Sequence, residues 1–173
     1  VYVSETPRTV QHHVIPSGHW GIEATVGKMR GMARAALAHS EVIDVADGLT
    51  ARAFGDRDAA DRIRAYLARN VRFVHDPPGV ELIRTPRYML RRIAEQGEAV
   101  GDCDDVAVLG AALGMAAGLR ARYVLVGLTP DDPYEHVYTE LLTRDGCVVE
   151  LDTTRPAQMP PGVRVYRMGY REA

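Results

Sequence analysis

The chain has 173 residues, 46% of them hydrophobic and 25% charged, with a formal net charge of −2. That is the size and balance of one globular domain with a real core, and it excludes a general electrostatic attraction to nucleic acid. Two cysteines exclude a disulfide scaffold, and the longest apolar run, Val106 to Leu119, is too short for a membrane span of about 20 residues.

In chain order, residues 1–21 read as an irregular arm, with Pro7, Pro16 and Gly18. Residues 22–173 read as a single domain. From Ile22 to Ala38, Val26, Met29, Met32, Ala33, Ala36 and Leu37 recur at helical spacing. Trp20 is expected to anchor this helix. Ser40 is placed to cap a second helix with an apolar face of Val42, Val45, Ala46 and Leu49. Gly55-Asp56 breaks the pattern, and Ala59, Ala60, Ile63, Tyr66 and Leu67 stripe a third helix. The segment VRFVHDPPG from Val71 is extended and ends in a turn. His75-Asp76 within it either faces a cleft or simply forms that turn. Thr85 and Pro86 are an N-cap and a first helical residue.

Val106 to Leu119 is apolar on every side, which predicts a buried central helix stopped by Gly118. Gly110 and Gly114 leave one bare face for close approach. The period then changes. Arg122 to Leu128 is a buried strand, and Glu135 to Leu142 alternates, with His136, Tyr138 and Glu140 on one face. A turn around Thr143–Gly146 leads to a strand carrying Cys147, Val148, Glu150 and Asp152, with Cys147 pointing inward. Val163 to Met168 is a last strand. Helices followed by hairpin-linked strands define an α+β fold.

Three chemically apt residues fall in order: Cys103 at a helix N-terminus, His136 on one strand and Asp152 on the next. A thiol becomes nucleophilic as thiolate, which the positive end of a helix favours and a nearby imidazole can generate. The imidazole needs a third group to set its tautomer. An even hairpin register puts His136 and Asp152 on the same face, and an odd one separates them. His12, His13 and His19 lack partners at ligand spacing, so no metal is expected there. Asp102, Cys103, Asp104 and Asp105 with His136 offer ligand-type side chains, but adjacent helical positions are not expected to converge on one ion. Asp104 and Asp105 are expected in the first helical turn, stabilising it as dipole-facing charges.

GDCDD with the apolar run after it, YEHVYTELL and VELDTT together resemble the transglutaminase-like superfamily, a branch of the papain-like cysteine enzymes. VRFVHDPPG and the residues after it are similar to short members encoded by phages and prophages. The resemblance implies a cysteine-bearing helix packed on an antiparallel sheet, with Cys103 as nucleophile, His136 as base and Asp152 as its orienter. It implies acyl transfer or hydrolysis at amide bonds of a protein or peptide substrate through a thioester. No cofactor, metal, nucleic-acid or membrane partner is implied. Asp104 stands where protein-crosslinking members carry an aromatic residue, which favours hydrolysis over amine transfer. The oxyanion donor is expected to be the Cys103 N–H, with Gln96 a candidate for the second. The alternative is a catalytically silent module serving as a structural or virion-associated assembly component. The absence of a signal-peptide pattern in the given sequence, with so few cysteines, sets the expectation of a cytoplasmic protein.

Overall fold

The helix α5 (Cys103–Ala116) organises everything around it. In the computed structural model, which describes residues 2–4, 9–11, 19–77, 81–128, 134–154 and 167–173, every residue from Asp104 to Gly114 is buried. The reason is its setting: α1 (His19–Ala36), α2 (Ser40–Thr50), α3 (Asp56–Asn70) and α4 (Pro86–Gln96) all touch it, and a sheet covers the rest. A helix with no solvent-facing side can carry apolar or small residues throughout.

The sheet is antiparallel, in the order β8 (Val148–Glu150), β7 (His136–Leu142), β6 (Arg120–Gly127), β9 (Arg167–Glu172). One row of β7 meets α5. Thr139 Oγ1 donates to the Ala107 carbonyl at 2.7 Å, and Leu141 packs into the notch at Gly114, where any Cβ would collide with it. The approach that Gly110 and Gly114 permit is therefore by leucine side chains, not by another backbone. The alternate row of β7 is also covered: Tyr138 joins Val124 and Val126 in a second small cluster, and Arg122 pairs with Glu140 at 2.7 Å. The strand β9 is tied to α1 by the Arg171–Glu23 ion pair and by Arg30 donating to the Glu172 carbonyl at 2.8 Å.

The α+β reading and its cysteine-bearing helix on an antiparallel sheet hold. The N-cap of α4 is Thr85, whose side chain accepts from the Tyr88 N–H, and Gly118 is left-handed (φ 79°) just beyond α5. Several details differ. The stretch 1–21, read as irregular, contains β1 (Tyr2–Ser4) and β2 (Thr9–Gln11), and α1 already begins at His19. The strand β1 pairs antiparallel with β2 and parallel with β4 (Ile83–Arg84), while β3 (Val71–Phe73) pairs parallel with β5 (Ala99–Gly101). Strands of two or three residues are too short to show a period of two. Ser40 is the first helical residue of α2 rather than its cap, which is His39. Trp20, expected as an anchor, is 76% exposed rather than packed in the core. Cys147 lies half-buried in the hairpin turn, outside β8. Of the expected last strand, residues 163–166 lie outside the described residues, as do His12, His13 and the turn at 131–133.

Candidate active site

Cys103 is the first residue of α5, so by helical geometry its N–H has no intrahelical acceptor. The strand β5 delivers it. Asp102 is the N-cap and forms a capping box with Asp105, the Asp102 N–H donating to Asp105 Oδ2 at 3.3 Å. Gly101 is required there, because a Cβ would lie 2.5 Å from Asp105 Oδ2. Asp105 is wholly buried and takes a second set of donors from Arg84: the backbone N–H to Oδ1 at 2.5 Å and Nη1 to Oδ2. Burial pushes the Asp105 carboxyl up to about 7 against the pull of Arg84. Arg84 also lies 3.6 Å from Asp76, and Asp76 accepts the Leu82 N–H. The loop ahead of α4 is thus clamped onto the mouth of α5.

His136 opens β7. The hairpin pairs Leu142 with Val148 and Glu140 with Glu150, an even register. His136 and Asp152 consequently share a face, one step apart along the diagonal. The His136 Nε2 donates to Asp152 Oδ2 at 2.9 Å, with both side chains fully buried. The other carboxylate oxygen, Oδ1, accepts from the Thr154 N–H at 3.3 Å and its hydroxyl at 3.4 Å, a small turn that fixes Asp152 just past the end of β8. Burial opposes protonation of His136. The Asp152 hydrogen bond and then the Cys103 thiol outweigh it, raising the ring to about 9. With Nε2 taken, Nδ1 is buried and has no hydrogen-bond partner among the described residues.

A stability consequence follows from the sign of this shift. A ring that binds its proton more tightly when folded stabilises the fold fully below its ordinary value of 6.5 and loses that contribution as pH climbs through about 9. Denaturant melts should show stability falling between pH 7 and 9, with a slope approaching about 1.4 kcal/mol per pH unit. His136→Gln should flatten that slope, and an unchanged slope would mean the ring is not held protonated.

Asp104 and Asp105 do fall in the first turn of α5, as expected, and both are buried, 2% and 0% exposed. One site expectation needs correction. The carboxylates of Asp102, Asp104 and Asp105 do converge, each offering an oxygen within 4.8 Å of the others. The reason is the cap: Asp102 precedes the helix and its side chain folds back over the first turn, and the capping box draws Asp105 to it. Asp104 lies among other carboxyl groups, with Asp102 and Glu81 hydrogen-bonded to it. Burial, then a proton shared with Asp102, then the charges of its neighbours, raise its pKa well above the usual carboxylate range. His75 is exposed, edge-on to Phe73 at 4.6 Å, and Gln96 is exposed at the last residue of α4. Sequence reading missed Arg84 and Thr154, and left Asp76 between a cleft position and a turn. Only Thr154 had a local signal, an Asp two residues before a threonine N–H.

The family model of the transglutaminase-like superfamily matches residues 43–153, a span that includes Cys103, His136 and Asp152. Two solved structures share the fold. A candidate protease from Parabacteroides distasonis is 18% identical with a TM-score of 0.59, over 75% of this chain and 26% of its own. A candidate cysteine protease from Cytophaga hutchinsonii is 21% identical with a TM-score of 0.52, over 75% of this chain and 42% of its own. This chain thus spans well under half the length of either. Among curated proteins none matches. No described helix is long and apolar enough to cross a membrane.

Proposed function

This chain belongs to the transglutaminase-like superfamily, and from that premise we propose that it is a cysteine-dependent enzyme acting on amide bonds of a protein or peptide, with Cys103, His136 and Asp152 as its catalytic residues. The observation that carries the reading is the buried 2.9 Å bond from His136 Nε2 to Asp152, which leaves Nδ1 as the nitrogen available to Cys103. In this mechanism Nδ1 takes the thiol proton and the thiolate attacks the amide carbonyl. The oxyanion forms against the Cys103 N–H at the positive end of α5. The imidazolium then protonates the leaving amine as the C–N bond breaks, giving a thioester. Water, deprotonated by the same ring, releases the acid and restores the thiol. An amine in place of water would give transfer instead. Asp104 in place of an aromatic wall supports hydrolysis as the main outcome.

The test is thiol chemistry. Both cysteines are free and half-buried, so accessibility does not separate them. Only Cys103 has an imidazole and a helix N-terminus beside it. Near neutral pH, iodoacetamide should label Cys103 at least about tenfold faster than Cys147, as read by peptide mass spectrometry. His136→Gln should erase the difference. Equal rates in the native wild-type protein would leave the silent-module reading in its place.

A further inference from the structure

The sheet has a second face, opposite α5, and His136 lies on it. The register sets His136 of β7, Val126 of β6 and Met168 of β9 in one row across the strands. The next row is Tyr138, Val124 and Tyr170. Residues paired directly across strands point to the same side of a sheet. Val124, Val126 and Tyr138 are buried, but Met168 and Tyr170 are 45% and 47% exposed. Both sit on an edge strand, where apolar side chains open to water invite misassembly and are normally avoided. They are also held in place. The Tyr170 hydroxyl donates to Met168 Sδ at 3.0 Å, and the Arg122 guanidinium lies over the Tyr170 ring, 4.4 Å from its centre. Arg122 is itself anchored by Glu140 at 2.7 Å, so it stiffens the pair rather than offering a free charge.

We propose that Met168 and Tyr170 form a side-chain subsite of the candidate active site, selecting a peptide substrate with an uncharged apolar side chain, such as leucine or phenylalanine, about three residues from the reacting amide. The inference rests on the acyl-transfer reading and adds to it the chemical class of the substrate. Its ground is continuity, since one row carries the His136 imidazole at one end and the Met168 thioether at the other. Two strand spacings of about 4.8 Å separate them, and an extended peptide covers that distance in about three residues at about 3.3 Å each. A methionine is flexible and polarisable, so it can shape itself to several apolar side chains. The Tyr170 ring supplies a fixed flat wall beside it. A charged side chain would have to shed water against this surface with no partner in return.

The experiment uses iodoacetyl tripeptide amides, which bring their own electrophile to Cys103 and require no cleavage. The full chain is treated with iodoacetyl-Gly-Gly-Leu amide or iodoacetyl-Gly-Gly-Ser amide, and labelling of Cys103 is followed by peptide mass spectrometry. The leucine reagent should react at least about tenfold faster, with saturation kinetics. Moving the leucine next to the iodoacetyl group should shrink that gain. Met168→Ser should bring the leucine-to-serine ratio close to one, and Met168→Leu should restore it. Phe54→Ser, at an exposed apolar residue in the turn before α3, should leave the ratio unchanged. Equal leucine and serine rates on a Cys103 that plain iodoacetamide labels faster than Cys147 would overturn this inference and leave the acyl-transfer reading standing. A Cys103 no faster than Cys147 would overturn both. A ratio that survives Met168→Ser in a folded protein would also sink the subsite, and if that variant does not fold, the same ratio in Tyr170→Ser decides. Self-association of the wild type that Met168→Ser abolishes, read by sedimentation, would assign the patch to a second copy of the chain and overturn it as well.

Discussion

Asp152→Asn lowers turnover of an amide substrate by about three to four orders of magnitude and leaves the fold in place. The carboxylate accepts the Nε2–H of His136, so Nδ1 is free to take a proton. An asparagine can turn its NH2 toward the ring instead. Nε2 then becomes the acceptor, the proton moves to Nδ1, and the tautomer facing Cys103 can no longer act as a base. The loss should depend on the leaving group. p-Nitrophenyl acetate expels an anion that needs no proton, so its hydrolysis should fall less, by about 10²-fold. Circular dichroism and melting of the variant control for folding. Full activity of a folded Asp152→Asn protein would remove Asp152 from the mechanism.

Asp105→Ala produces the largest stability change, a loss of about 3 kcal/mol, because it removes the buried partner of the Arg84 guanidinium and leaves it only Asp76 at 3.6 Å. It also removes the acceptor that caps the Asp102 N–H. The conservative expectation for a first-turn acid, about 0.3–1 kcal/mol from the helix dipole, applies to solvated carboxylates and not to this one. The double variant Asp105→Leu with Arg84→Met should recover much of the loss, since it removes both charges together. Urea melts of the wild type and both variants measure the loss and its recovery. A single variant within about 1 kcal/mol of wild type would show that the pair does not hold the helix mouth.

These expectations show where sequence reading succeeds. The central helix was legible because a residue run with no polar face has one structural solution, burial. The His136–Asp152 pairing was legible as a parity question. The hairpin length allowed two registers, and the structure has the even one. Thr85, Pro86 and Gly118 announce their roles by local chemistry alone. Arg84 and Asp76 do not. An arginine before a helix cap resembles any surface arginine until the fold brings it onto Asp105, twenty-one residues away. The first-turn place of Asp104 was legible, but its burial was not: a charged residue there is ordinarily wet, and only the segments packed over it make it dry. The short parallel pairs β1–β4 and β3–β5 carry no periodic signal, and their partners are distant in sequence.

The enclosure of α5 also bears on motion. Because neighbours surround its backbone from Asp104 to Gly114, its amides can meet solvent only when the surrounding helices and sheet come apart together. Cys103, the proposed nucleophile, is therefore mounted on a unit that opens only with the core, and partial unfolding at the periphery leaves its position undisturbed. Whatever adapts to a substrate must come from the segments that close over this unit, while the thiol itself stays a fixed point of reference.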